Sequence, residues 1–364
     1  MEWDCARFVW NRCVGAGNAS YQMFKEELEH ESPTFCRMSK QLTAWRSELE
    51  WLKSGSQVVQ QQAIRKWAES HQQAFKQPAK GFPKFKSGKV ALPSLEYTSN
   101  GFKLKEGRLF LAGGINIPVV WSRELPSIPK SCIVARDGNG HWSVSFVVRR
   151  ENEAFPESEL AVGIDWGVAT VATASVPGFD LGCGNQTAKN AKALKKAQQK
   201  LSRAKNGSKG RVLARKRVAA IHIKIARQRK DRAFKWSRKI VTEFGRIAIE
   251  DFKPKFLAKS TMAKKATDGA VGMTKQILMT MAEAAGRTVA LINPAFTTME
   301  CSDCGTRTKS RIPLSIRTFS CEACGFTAGR DENAARTICA RAGFAPANVD
   351  DVRLRHDFSY AVAI

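Results

Sequence analysis

No stretch of this 364-residue chain approaches the ~20 apolar residues that a membrane-spanning helix requires, which excludes a helical membrane protein. An apolar leader is missing too: the chain opens on Met1-Glu2-Trp3-Asp4, and a cytoplasmic protein is expected. Acids are the scarce charged class, 33 Asp and Glu against 59 Lys and Arg, leaving a net charge of +26 and a pI near 9.9. A soluble chain so short of acids points to a polyanionic partner, with nucleic acid the leading candidate. Six of the ten cysteines (Cys5, Cys13, Cys36, Cys132, Cys183 and Cys339) show no pairing pattern, which argues against a disulfide scaffold. What is present is 43% hydrophobic residues, material for two or three packed domains.

The other four cysteines form two CxxC knuckles, Cys301-x-x-Cys304 and Cys321-x-x-Cys324, separated by sixteen residues. Each knuckle aims two sulfurs at one point, so four thiolates can wrap one structural Zn²⁺ tetrahedrally. Gly305 and Gly325 follow the knuckles, where freedom to take positive φ eases the turn. Two disulfides in a secreted chain are the alternative.

Charge is concentrated rather than spread. Between Lys189 and Lys239 stand 20 Lys or Arg and a single acid, Asp231. Ala193, Leu194, Ala197 and Leu201 recur at near-helical spacing, Asn206-Gly207-Ser208-Lys209-Gly210 interrupts, and Val218, Ile221 and Ile225 resume it. A basic helical hairpin is expected here. A solvated helix face normally alternates signs, and repulsion at this density calls for an anionic partner. His222 and Trp236 could stack on bases or simply pack.

Residues 36–76 read as helices, with Leu42, Trp45, Leu49 and Leu52 on one face, a break at Ser54-Gly55-Ser56, then Val58, Val59, Ile64, Trp67 and Phe75. From Val90 short β segments follow: Phe102-Lys103-Leu104 and Arg108-Leu109-Phe110-Leu111 about a Glu106-Gly107 turn, and Ile133-Val134-Ala135 facing Trp142 to Val148 across Asp137-Gly138-Asn139-Gly140. A small β-barrel or curled sheet accounts for them.

Three acids end or begin elements. Asp165 closes the apolar segment Leu160 to Ile164, Glu250 closes Arg246-Ile247-Ala248-Ile249, and Asp331 opens the helix Glu332 to Ile338. A carboxylate at such a position is costly unless a cation meets it. Three of them can hold two divalent ions about 3.5–4 Å apart for in-line phosphodiester hydrolysis. Asp331 could instead cap its helix.

The order Gly163-Ile164-Asp165-x-Gly167, Ile249-Glu250-Asp251, the four-cysteine ribbon and Arg330-Asp331-x-Asn333-Ala334-Ala335 resembles TnpB, the RNA-guided nuclease of bacterial insertion sequences and relative of type V CRISPR effectors. Further matches are Arg7 to Asn11, Gly81-Phe82-Pro83-Lys84-Phe85-Lys86, Leu201-Ser202-Arg203, Arg227-x-Arg229-Lys230-Asp231 and Pro294-x-x-Thr297-Thr298-x-x-Cys301. The chain departs from the pattern in opening almost directly on its first helix, in Gly329 before Arg330, and in Trp166 in place of an aliphatic residue.

The resemblance implies an α/β multidomain protein: an RNase H-like (RuvC) nuclease domain with an inserted zinc ribbon, plus a wedge-type β-barrel carrying an inserted helical recognition lobe. The expected division is a recognition lobe over 1–86, lacking the first barrel strand, and the barrel over 87–150. A linker over 151–159 leads to the nuclease domain over 160–300 with its basic hairpin at 189–240. The ribbon (301–324), a last nuclease segment (325–345) and a tail (346–364) complete it. Asp165, Glu250 and Asp331 become the catalytic triad, binding two Mg²⁺ or Mn²⁺; Cys301, Cys304, Cys321 and Cys324 hold zinc. The implied partners are a guide RNA from the end of the element and target DNA beside a short flanking motif, in the bacterial or archaeal nucleoid. Candidate nucleic-acid contacts are Lys84, Lys86, Lys195, Lys196, Arg203, Arg215, Lys216, Arg227, Arg229 and Lys230, with Gln57 and Gln61 for base contact. Lys253 to Gly272, with Lys255, Lys259, Lys264 and Lys265, reads as a basic lid near Glu250. Composition and spacing specify no guide. A guided DNA-binding regulator without cleavage and a guide-free accessory of transposition remain the alternative functions.

Overall fold

A computed structural model describes residues 1–29, 31–151, 155–252, 262–310, 312–313, 315–348 and 350–352. The chain divides into two compact units, Met1–Arg150 and Glu151–Ile364. No helix among the described residues is long and apolar enough to cross a membrane.

The first unit begins with helices α1 (Glu2–Lys25), α2 (Phe35–Glu48), the single turn α3 (Glu50–Lys53) and α4 (Gln57–Lys76). Their apolar stripes close on one core of Val9, Trp10, Cys13, Leu42, Trp45, Leu52, Ile64 and Trp67. Arg46 secures the break before α4, donating to the carbonyls of Leu52, Lys53 and Gly55 and to Gln60 Oε1. The helical face ends at Ala74: Phe75, read as core from its spacing, is 59% exposed. Two antiparallel three-stranded sheets follow, one ordered β1 (Ser94–Thr98), β5 (Ser131–Arg136), β6 (Trp142–Val147), the other β2 (Phe102–Lys105), β3 (Arg108–Leu111), β4 (Ile115–Pro118). Ala6 of α1 and Val59 of α4 join Leu95, Tyr97, Phe102, Leu109 and Val134 in a shared core. Helices and sheets of this unit therefore pack against one another through a shared core.

The second unit is organised by a five-stranded sheet, β11-β10-β7-β8-β9. Strands β7 (Ala161–Trp166), β8 (Thr170–Ala174) and β9 (Leu181–Gly182) are antiparallel; β10 (Arg246–Glu250) and β11 (Thr288–Ile292) run parallel to β7. Between them come the helices α5 (Gln186–Arg203), α6 (Lys209–Glu243), α7 (Ala263–Gly269) and α8 (Val271–Ala284). Beyond β11, the short hairpin β12 (Thr318–Ser320) and β13 (Thr327–Gly329) leads into α9 (Arg330–Arg341). Every residue of β7 is buried, as a central strand covered on both faces must be. One face meets α6 and α8 through Ile164, Trp236, Ile240, Phe244 and Leu278. The other meets α9, and Gly163 permits it: a Cβ there would lie 1.9 Å from the Ala335 carbonyl.

One expectation is corrected here, and one open alternative is decided. The described part of the expected linker, 155–159, is packed down: Phe155 lies against the core, Arg287 donates to the Pro156 carbonyl (2.9 Å) and the Ser158 hydroxyl to that of Glu243 (2.7 Å). Trp236 is buried, its indole N–H donating to the Phe179 carbonyl (2.7 Å), so it packs and does not stack on bases.

Candidate active site and metal centre

Asp165 stands near the end of β7 and Glu250 at the end of its parallel neighbour β10. The last registered pair between these strands is Ile164 opposite Ile249, so each acid lies one residue further on, and adjacent positions of paired strands share a face. Both are buried, at 9% and 7% exposure. Burial first, then the charges of Glu250 and Asp331, raises Asp165 well above the ordinary carboxylate range, against the pull of Arg330 and the Trp166 N–H. Glu250 is pushed up to about 7, chiefly by burial, although the Trp166 N–H, Lys275 and a hydrogen bond with Asp165 favour its charge. Two buried carboxylates sharing a hydrogen bond cannot both ionise cheaply without a cation. A set of hard oxygen donors suits Mg²⁺ or Mn²⁺.

Asp331 enters from α9. Gly329 caps that helix without a side-chain bond, so Asp331 is not spent as its cap. Its carboxylate is 37% exposed and lies 3.6 Å from both Arg317 and Arg330. Arg330 is itself buried and donates to the carbonyls of Pro313 (3.1 Å) and Ile316 (3.3 Å). Among the described residues the four cysteines alone bring three or more candidate ligand atoms within 4.8 Å of one another. Asp165, Glu250 and Asp331 do not gather three ligand atoms within that distance. The side chain of Trp166 points away from the acids into the core, edge-on to Trp236 at 6.1 Å.

At the second centre, Cys301 Sγ lies 3.7 Å from Cys324 Sγ, and Cys304 Sγ 3.6 Å from Cys321 Sγ. Four sulfurs at a Zn–S distance of ~2.3 Å around one ion are about 3.8 Å apart, whereas a disulfide holds its sulfurs at ~2.05 Å. The spacing fits a metal and excludes the disulfide alternative. The knuckles repeat one turn: Gly305 N–H returns to the Cys301 carbonyl and Gly325 N–H to that of Cys321, both at 2.9 Å, with φ of +73° and +74°. Phe319 fills the small core between them.

The centre and the acids are tied. The backbone of β13 runs directly into α9, and Arg330 N–H donates to the Arg317 carbonyl at 2.7 Å. Fully buried Asn333 accepts from Ser302 N–H (2.9 Å) and donates to the Glu300 carbonyl (2.7 Å). Asn333 stands in the Arg330 to Ala335 motif, but nothing in that motif signals this clamp. Sequence reasoning also missed Lys275, whose ammonium reaches Asp251 Oδ1 (2.8 Å) and the Glu250 carbonyl (3.2 Å); nothing local to Lys275 signals that reach.

Of the candidate nucleic-acid contacts, Lys84, Lys195, Lys196, Arg203, Arg215, Lys216, Arg227 and Lys230 are exposed, as is Gln57; Gln61 is half-buried. The seven on α5 and α6 clothe a hairpin whose apolar seam is Leu194, Ala197, Val218, Ile221 and Ile225. Two candidates are taken inside. Arg229 binds buried Asp268 (2.7 Å) and the Thr187 hydroxyl (2.6 Å). Lys86 places its ammonium 3.5 Å from the centre of the Trp10 ring, and burial lowers its pKa to about 8. The same segment locks onto α1, Trp10 donating to the Lys84 carbonyl and Asn11 pairing with the Lys86 backbone. Of the expected lid, Lys264 and Lys265 are exposed on α7 and Asp268 anchors its end, while Lys255 and Lys259 lie outside the described residues.

Residues 145–261 match the family model described as "Probable transposase", and residues 272–338 that described as "Cas12f1-like, TNB domain". A Streptomyces pristinaespiralis protein named "Putative RNA-guided DNA endonuclease" is 32% identical over 98% of this chain and 88% of its own length. Escherichia coli K12 "Putative RNA-guided DNA endonuclease InsQ" is 28% identical over 92% of this chain and 86% of its own length. The fold superposes with a TM-score of 0.50 and 14% identity on a chain of "Cryo-EM structure of the Cas12f1-sgRNA-target DNA complex", covering 91% of this chain and 81% of that one; this is a likeness of fold.

Proposed function

The chain belongs to the TnpB family of RNA-guided DNA endonucleases, and on that premise we propose that it cuts DNA chosen by a guide RNA, beside a short flanking motif, through a RuvC-type site. The observation that carries the reading is the buried pair Asp165 and Glu250 on adjacent parallel strands, with the charge of Asp331 acting on Asp165. Two divalent ions held by these acids would activate water and neutralise the leaving 3′-oxygen. The protein's own part is to position them. Lys275 holds the end of β10 through the Glu250 carbonyl and Asp251, and the Trp166 N–H favours the charged form of both carboxylates. Gly163 admits α9 against β7, and Asn333 fixes α9 to the ribbon. A single zinc would serve structure, not chemistry.

On this reading the sheet carrying the acids is RNase H-like. The first unit supplies the recognition lobe and wedge-type barrel, with Gln57 and Gln61 as candidates for reading the flanking motif. The basic hairpin faces the phosphates of guide or heteroduplex.

The test is co-purification from cells carrying the native flanking DNA, sequencing of bound RNA, and challenge with a matched target library in Mg²⁺. A discrete RNA with target cleavage that Asp165→Ala abolishes is the expected result. RNA without cleavage replaces it with a guided DNA-binding regulator, and no RNA with a guide-free accessory.

A further inference from the structure

Phe296 is an unusual residue in an exposed loop. Its φ is +65°, in the left-handed region that Gly or Asn ordinarily fills and that strains a bulky side chain. The ring gains little from burial in return, being 47% exposed. One of its two faces carries the Arg307 guanidinium, 3.0 Å from the ring centre. Arg307 is exposed and comes from the first cysteine knuckle, where its backbone bridges Glu300.

The loop runs between elements that carry the acids. It leaves β11 after Ile292, which pairs with Glu250. It ends at Glu300, whose carbonyl Asn333 holds two residues beyond Asp331. Arg341 fastens its middle, donating to the Ala295 carbonyl (2.8 Å) and pairing with Glu300. A strained aromatic with a cation on one face therefore sits in the loop that joins the strand beside Glu250 to the residue clamped by the helix of Asp331, its backbone fastened by Arg341. Strain kept in a fixed frame is characteristic of functional positions. An exposed ring joined to a guanidinium offers both requirements of single-stranded nucleic acid, a stacking plane and a cation for the backbone.

We propose that Phe296 and Arg307 form a stacking platform for one unpaired nucleotide of the DNA strand that enters the acidic site. The platform rests on the nuclease reading above and names which part of the strand is gripped. The ring stacks on the base and the guanidinium meets the adjoining phosphate. The platform does no chemistry; it holds the unpaired strand as the scissile phosphate reaches the acids.

Photocrosslinking tests this independently of cleavage. Single-stranded DNA carrying 5-iododeoxyuridine is irradiated with the full-length protein, and the attachment site is mapped by mass spectrometry. A crosslink on Phe296 is expected, lost in Phe296→Gly and reduced about tenfold or more in Arg307→Gln. Phe296→Gly suits the backbone angle, so its melting temperature should hold or rise. Crosslinks confined to other residues, or a lower melting temperature in Phe296→Gly with undiminished crosslinking, would overturn the platform. Absence of cleavage by the wild type would instead overturn the nuclease reading, and the crosslink position would still decide the platform.

Discussion

Asp165 and Glu250 carry folded-state pKa values above their ordinary 3.8 and 4.5. The folded protein without divalent metal therefore binds more protons than the unfolded chain, and its stability falls as pH rises. For Glu250 the contribution is intact below about pH 4.5 and lost as pH rises through about 7, on the order of 3 kcal/mol in all. Thermal melts in magnesium-free buffer should show the wild type less stable at pH 8 than at pH 6. Glu250→Gln should flatten that slope and abolish cleavage, and added Mg²⁺ should restore stability at pH 8 in the wild type alone. A flat wild-type profile would contradict the reading of this pair. Asp268 behaves oppositely: burial disfavours its charge, but Arg229 and Thr187 together hold its pKa below the ordinary value. Removing Arg229 leaves the Asp268 carboxylate to the Thr187 N–H and hydroxyl, so Arg229→Ala should cost about 1–3 kcal/mol in denaturant melts. The same change in exposed Lys230 should cost almost nothing.

Among the elements, α9 and the ribbon depend on one another, because the strand that completes the ribbon hairpin is the one that launches α9 at Arg330. Cys301→Ser should lower bound zinc from one per chain to none, measured by atomic emission, and open 301–329 to protease. Asn333→Ala should keep zinc while leaving Ser302 N–H unmet and the Glu300 carbonyl to the Thr337 hydroxyl alone (3.3 Å), a loss of about 1–3 kcal/mol with slower cleavage. Zinc loss in Asn333→Ala, or full cleavage, would show that the clamp is not what couples them. These elements were legible in sequence for a physical reason. Knuckle spacing is local chemistry, and an apolar run ending on an acid states its strand and its exit together. Arg229 was misread because its partner lies 39 residues away, and Lys275 was missed because Asp251 is 24 residues distant. Packing alone brings them together. Lys86 was likewise read as an exposed cation, since nothing in its own segment announces Trp10 beneath it.

For the molecule as a whole, the net charge of +26 is dominated by 189–239, with 20 basic residues to one acid. Five apolar side chains seam this hairpin, and the like charges crowded on its surface oppose its closure. An anionic partner relieves that repulsion and releases its own counterions on binding. Binding RNA should therefore raise the melting temperature, and the gain should shrink steeply with salt. Replacing Lys195, Lys196, Arg203, Arg215, Lys216, Arg227 and Lys230 with Gln should weaken RNA binding and reduce the log–log salt slope by roughly 0.7–0.9 for each phosphate contact removed. The free protein should meanwhile become more stable at low salt, because self-repulsion is removed along with the contacts. Filter-binding titrations across a salt series, run beside melts of the free protein, separate the two effects. A variant with unchanged slope would place the phosphate contacts elsewhere on this surface. A variant with the expected slope and no gain in free-protein stability would mean that screening by ordinary counterions already suffices to close the hairpin.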